Sequence, residues 1–442
     1  MSSKISKFFT EDKIEELARK HGFVQRKSKL CGFQLLDVLL FTRFDNKLLA
    51  LTNLCIQLFE RFNINIRKQA LDQRFNEKAV DFFKDLFKEL LTYQLSLDIS
   101  LDRYPFHSIW LKDSCSFQLP ESLKDAFPGS GGGGSNASAR IQCEMELVSG
   151  CVGDLSLHSF NEQDITNAKQ TAEDTSPGAL LIRDLGYWDA KQMETINEKG
   201  AYYISRMPAG SKAYEYEGGA YTPIDFSEIE RYMHKHQFQT LDKTVYIGQA
   251  KVPTRLIIDL LPEEQKQKRL QKAKHQAGKK KKTLSKAYKA RAGLNLYVTN
   301  LALEEVQAQE VIKFYKLRWQ IELVFKAWKS IGEIHEVKNM KLERFLCMMY
   351  AKLIWILLNW EILAGLNWYF ERHKGFSISF YKGYKYLANQ FKELRTAIMQ
   401  GKESLKAFID KLAMLSPNYL KREKRKHKPS LMEYLTELKL VN

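Results

Sequence analysis

The stretch that most restricts the fold of this chain is GALLIRDLGYW, residues 178–188. Side chains of a strand alternate between its two faces, so four apolar residues in a row at 179–182 require cover on both sides. That is the signature of a central strand in a sheet flanked by helices. Gly186 then permits a tight turn, Asp189 can cap a helix that runs to Gly200, and a second short apolar run follows at 201–205. Strand, helix and strand at these lengths predict an α/β fold with a parallel sheet. Asp184 falls at the carboxyl end of the central strand, where open α/β sheets build their sites.

A second acid is set apart by its pattern. In HSIWLKDSCSF, residues 107–117, Ile109, Leu111, Asp113, Cys115 and Phe117 share one strand face. Asp113 is the only polar residue on that face, and an acid there needs a partner or a metal. The glycine-rich FPGSGGGGSNASAR that follows has no Gly-Lys-Ser/Thr, so it reads as a flexible connection to a strand at 141–148 rather than a phosphate loop. Residues 214–293 are irregular, with strands expected at 244–249 and 254–260 and a strongly basic segment at 266–291. A strand at 295–299 precedes helical periodicity that continues, with breaks, to the end.

Composition narrows the partner. Lys and Arg outnumber Asp and Glu by 69 to 52, a net charge of +17, which points to a polyanion. Neutralising phosphates releases condensed counterions, so basic proteins gain affinity for DNA whatever its sequence. With 442 residues, 44% of them hydrophobic, the chain can bury several cores. The six cysteines are scattered and read as buried thiols in a reducing compartment. The apolar run in the opening MSSKISKFFTEDK is too short for a signal peptide, and the apolar stretch at 345–370 is interrupted by Lys352, Asn359, Glu361 and Asn367. A buried core helix, no membrane partner and a cytoplasmic location are therefore expected.

The first hundred residues read as helices at 32–41, 48–62, 66–75 and 79–95. The third carries Arg67, Lys68, Gln69, Gln73 and Arg74 after a turn. Such a helix suits a major groove, and equally the surface of a small bundle. The basic run at 421–430 reads as a solvated linker.

The most informative helix is VIKFYKLRWQIELVFKAWKS, residues 311–330. At about 100° per residue, Tyr315, Arg318, Glu322 and Lys329 fall within a stripe about 60° wide. Phe314, Leu317, Ile321, Val324, Phe325 and Trp328 form a broad apolar face beside it. Geometry alone leaves open an ordinary i, i+4 ion pair between Arg318 and Glu322.

Tyr, two residues, Arg, three residues, Glu, six residues, Lys is the YREK signature of the insertion sequence 4 family of bacterial DDE transposases, which includes those of transposons five and ten. This chain resembles that family at all four positions. IWLKDSCSFQLP around Asp113 is similar to the family's first-aspartate strand, and DLGYW at 184–188 to its second-aspartate motif. The order of segments follows the family over most of the chain.

The resemblance implies a ribonuclease H-like core in which Asp113, Asp184 and Glu322 converge to hold Mg2+, with Mn2+ able to substitute. Tyr315, Arg318 and Lys329 would hold phosphates of the DNA. It further implies cut-and-paste movement between terminal inverted repeats and target DNA through a hairpin intermediate, by two-metal chemistry, in a homodimeric synaptic complex. Hairpin-forming members carry a Trp on the strand before the signature helix. Here that strand is LNLYVTN, with Asn295 near the expected place and Tyr297 as a substitute, its face unsettled by alternation.

The expected layout is a helical DNA-binding domain at 1–100 and the first part of the core at 101–205. A β-rich basic insertion at 206–293, the second part of the core at 294–370 and a helical region at 371–442, a place for dimerisation, complete it. Two other readings remain: a ribonuclease H-like nuclease without strand transfer, and a non-catalytic DNA-binding descendant of a transposase.

Overall fold

The apolar run at 179–182 folds as a strand, Ala179–Arg183, in which every residue is buried. In the computed structural model the described residues are 2–25, 29–42, 49–92, 101, 103–130, 136–147, 149–162, 164–279, 281, 283–423 and 437–438. They contain ten strands: β1 Ser108–Gln118, β2 Ser138–Glu146, β3 Val152–Ser159, β4 Ala179–Arg183, β5 Tyr202–Arg206, β6 Ala213–Glu217, β7 Ala220–Pro223, β8 Thr240–Ile247, β9 Val252–Leu260 and β10 Leu294–Thr299. The fold is mixed α/β, as the strand–helix–strand pattern predicts. The chain divides into two compact units, each built from separated segments: 1–98, 114–162 and 320–433 in the first, 99–113, 163–319 and 434–442 in the second.

The sheet of the second unit runs in the order β1-β4-β5-β10-β9-β8-β6-β7. β1, β4 and β5 are parallel, and every later pairing is antiparallel. The parallel pair β4 and β5 is joined by the helix Ala190–Glu198, which Asp189 caps by accepting from the Lys191 N–H at 3.0 Å. Leu181, Met193, Ile196, Tyr203, Leu256 and Val298 pack into the core beside the sheet. Each large apolar side chain so buried contributes roughly 1.5–3 kcal/mol.

Two parts of this unit differ from the sequence reading. The irregular stretch after residue 214 holds a β6–β7 hairpin and a helix, Phe226–His236. The basic segment begins as a helix, Glu263–Lys279, with no fully buried residue. Its charges surround the helix and leave no apolar stripe for periodicity to detect. Arg269 ties it down, donating to the carbonyls of Ala292 (3.3 Å) and Leu294 (2.9 Å) and to Asn295 Oδ1 (2.8 Å).

In the first unit β2 and β3 pair antiparallel, and the N- and C-terminal helices gather around Leu342–Lys374, a helix of 33 residues. Its length and composition would suffice to cross a membrane, yet 83% of its most apolar window is buried within the protein. Several polar residues along it bond within the protein. Lys352 donates to the Glu333 carbonyl at 2.7 Å, Asn359 to the Trp355 carbonyl at 2.6 Å, and Asn367 Oδ1 accepts from Ile378 N–H at 2.9 Å. Trp355 stacks on Phe391 with centroids 5.3 Å apart. All six cysteines are free thiols.

The N-terminal helices expected at 32–41, 48–62, 66–75 and 79–95 fold as Gly32–Leu40, Leu51–Phe62, Lys68–Arg74 and Glu77–Thr92. The glycines of the connection at 131–134 and most of the basic tail, 424–430, lie outside the described residues.

Candidate active site

Register alone aligns the acids. In the second unit Lys112 of β1 lies opposite Arg183 of β4, and Arg183 opposite Ser205 of β5. The next residues on the three neighbouring parallel strands are Asp113, Asp184 and Arg206. Arg206 is in turn registered with Tyr297 of β10. β4 ends at Arg183, so Asp184 stands at the head of a short turn, Leu185–Tyr187. In that turn Gly186 approaches Asp164 so closely that a Cβ would lie 3.2 Å from its carboxylate.

The helix Ala308–Leu317 brings the cation. Arg318, just past its end, donates from Nη1 to Asp113 Oδ2 at 3.0 Å, and its Nε lies 3.9 Å from Asp184 Oδ1. Tyr315 donates its hydroxyl to the same Asp184 oxygen at 2.9 Å. Burial, and then the Asp184 carboxylate, hold that phenol protonated well above its ordinary range. One guanidinium thus faces two carboxylates whose side chains remain 18% and 39% exposed. Charge-assisted bonds of this kind are short and strong, and both acids stay accessible to water.

Tyr297 packs edge-on against Tyr315, centroids 5.2 Å apart, so it stands on the face that carries Asp184. It is buried, and burial raises its phenol above the ordinary value. Asn295, two residues earlier on β10, accepts from Arg206 Nη2 at 3.3 Å and from Arg269, and donates to Asp259 at 3.1 Å.

The signature helix is not continuous. Helices Ala308–Leu317 and Trp319–Ser330 are separated at Arg318, whose N–H bonds to the Tyr315 carbonyl at 3.1 Å. This i to i−3 bond tightens the turn, a local departure that residue periodicity does not foresee. Tyr315 and Arg318 belong to the second unit, Glu322 and Lys329 to the first. Glu322 is half-buried in its helix, and Lys329 donates to the Ser116 carbonyl at 3.1 Å within the first unit. Among the described residues no group of three His, Cys, Asp or Glu side chains is gathered as a metal cage.

Of the N-terminal candidates, Lys68 opens the helix Lys68–Arg74, and Arg67 precedes it; both are exposed. Arg74 instead lies over the Phe23 ring at 4.7 Å and donates to the Leu30 carbonyl at 3.2 Å. Its partner is the fold. Sequence reasoning passed over Arg206 and Arg269. Arg206 could have been found, because it ends β5 at the level at which Asp184 follows β4.

Residues 104–358 match the transposase DDE domain family. The chain belongs to the DDE transposases. It is 32% identical to the transposase for insertion sequence element IS231E of Bacillus thuringiensis subsp. finitimus, over 98% of this chain and 94% of the relative. It is 31% identical to that for IS231B of B. thuringiensis subsp. berliner, over 93% and 89%. With the transposase for IS1151 of Clostridium perfringens it shares 29%, over 100% and 96%. Among solved structures it is similar to the piggyBac transposase synaptic complex with hairpin DNA, at 7% identity, 97% and 87% coverage and a TM-score of 0.47. The transposase thus has relatives that match it nearly end to end, with its two clustered acids and the whole YREK signature inside the matched domain.

Proposed function

We propose that this transposase cuts double-stranded DNA at the terminal inverted repeats of an insertion sequence and joins the freed ends to target DNA, with Asp113, Asp184 and Glu322 as its catalytic carboxylates. The observation that carries the reading is the Asp113–Arg318–Asp184–Tyr315 cluster at adjacent strand ends. The two acids already hold a cation between them, and their hard oxygens suit magnesium, with manganese as a substitute. Glu322 joins them on the strength of the YREK signature. Divalent ions held by these carboxylates would supply positive charge for activating an attacking water or 3′-hydroxyl and for stabilising the leaving oxygen.

The side chains around the acids do the positioning. Arg318, now bonded to Asp113, carries a planar fork that matches a phosphate as well as a carboxylate, so it can also serve the DNA backbone. Tyr315, kept protonated, donates a hydrogen bond. Lys329 and Arg206 add cations for flanking phosphates. Exposed Arg67 and Lys68 offer contacts to duplex DNA outside the centre. We read the sheet as a ribonuclease H-like core and the working form as a homodimer pairing two ends. A hairpin intermediate would require Tyr297, now packed on Tyr315, to turn outward to hold a flipped base.

Purified protein, magnesium, end-labelled inverted-repeat duplex and a target plasmid test the reading. Label joined to plasmid is expected. Cleavage without any joining would assign the chain to the nucleases instead, and binding without cleavage to non-catalytic DNA-binding proteins.

A further inference from the structure

The β6–β7–β8 edge carries a feature that the cleavage chemistry does not use. β6 and β7 are joined by Gly218 and Gly219, with φ of +56° and +85°, the two-residue turn that fits the twist of a hairpin. Tyr216 is registered with Tyr221 across it, and Tyr214 with Tyr246 of β8. Four tyrosines therefore share one face. The opposite face is the core side, where Ala213, Val245 and Ile247 are buried and Glu215 pairs with Lys243.

On the outer face the rings touch one another. Centroids are 4.7 Å apart for Tyr216 and Tyr221, 5.1 Å for Tyr221 and Tyr246, and 5.9 Å for Tyr216 and Tyr246. Tyr216 is 50% and Tyr221 42% exposed. Lys251 sits over the Tyr214 ring and 5.3 Å from the centroid of Tyr221. It does so with φ +55°, a left-handed backbone that a lysine adopts at a cost. None of the four hydroxyls makes a hydrogen bond among the described residues.

We infer that this tyrosine face, capped by Lys251, is a stacking platform for unpaired nucleotides of the DNA substrate. Flat rings with polar rims accept any base on a π-face, while a lysine among them meets the phosphate. Aliphatic residues would serve a protein core better, and acids on this face would repel a nucleic acid. Here Glu215 is turned to the other face, and the chain as a whole carries a charge of +17. A cut in one strand lets the bases beside it fray and unpair, so such a ligand can arise during the proposed reaction. The inference rests on that reading of the chain as a DNA-cutting enzyme.

The test uses the full chain, a 15-nucleotide oligo-dT and the element's own duplex end, with binding to each measured separately. Replacing both Tyr216 and Tyr221 by Ala should weaken oligo-dT binding about tenfold to a hundredfold and leave duplex binding and cleavage unchanged. Replacing both by Phe should retain oligo-dT binding. A 5-iododeoxyuridine in the oligonucleotide should photocrosslink to Tyr216 or Tyr221. Unchanged oligo-dT binding in the Ala variant, or crosslinks only elsewhere, would overturn the platform. Loss of dimer in the Ala variant with oligo-dT binding intact would give the face to a second copy and equally overturn it. Duplex cleavage is read in the same samples, so failure of the DNA-cutting proposal is distinguishable from failure of the platform.

Discussion

Two of the carboxylate and arginine clusters in this protein are built to opposite ends. In the first unit Asp37 has no exposed side chain and is held by Arg61 Nη1 at 2.9 Å and Arg395 Nε at 2.6 Å. Arg61 also donates to the carbonyls of Asp37 and Phe41 and to the Thr42 hydroxyl. One acid is thus overmatched by two cations, and the triad joins the helices Gly32–Leu40, Leu51–Phe62 and Phe391–Met399. In the second unit Arg318 reaches two acids, Asp113 and Asp184, and both remain open to water. Surplus positive charge in a closed place locks helices together. Acids left open to water stay available to a ligand.

Breaking the two clusters should therefore give opposite results. Asp113→Asn is expected to lower the rate of DNA-end cleavage at least about 10³-fold, the scale lost with a main source of transition-state charge stabilisation. Its urea midpoint should stay near that of the unchanged protein. Asp37→Ala is expected to cost about 3–5 kcal/mol of stability, because two arginines are left facing a buried gap. Urea denaturation reads that loss, and the surviving folded fraction should still cleave. If both substitutions destabilised the protein equally, the distinction between lock and site would be lost.

A third buried charge, Lys352, sharpens the contrast. Lys352 is 4% exposed and bonded to a carbonyl, and burial lowers its ammonium from an ordinary 10.5 to about 8. Below about pH 8 both folded and unfolded chains hold the proton, and the folded one carries the full penalty, of order 3 kcal/mol. Between 8 and 10.5 only the unfolded chain holds it, so this contribution to stability improves as pH rises. Lys352→Met should raise the thermal midpoint at pH 7, by less than the full penalty because the Glu333 carbonyl loses its donor. The advantage should disappear near pH 10, and a variant less stable at pH 7 would refute this.

The smallest effect belongs to the helix Glu263–Lys279, whose Lys268, Lys272 and Lys274 are exposed. Replacing all three by Gln should flatten the dependence of log affinity for duplex DNA on log salt by about 0.9 for each phosphate contact removed. An unchanged slope would take this helix off the DNA.

What could be read from residues alone follows the same division. The strand ends were legible, because burial on two faces writes an apolar run at 179–182 and burial on one face writes the alternation around Asp113. The stripe of the signature helix named Tyr315 and Arg318, and the contacts with Asp184 and Asp113 bring them to the acids. The break at Arg318 and the choice of Asp113 as its partner were not legible, since both depend on atoms about two hundred residues apart in sequence. Asp37 gave no signal either, one acid in an apolar helix being indistinguishable by pattern from a solvated one. The tyrosine hairpin was missed because its outer face is aromatic and exposed, which blurs the alternation that marks a half-buried strand.

The most direct measurement is cleavage of a labelled inverted-repeat duplex by the unchanged protein, Asp184→Asn and Glu322→Gln, each with magnesium and again with excess chelator. Cleavage is expected only from the unchanged protein with magnesium, while all three bind the duplex within a few-fold of one another. Cleavage that survives chelation, or that persists in Glu322→Gln or Asp184→Asn at the unchanged rate, would contradict the assignment of these carboxylates as the metal-holding centre.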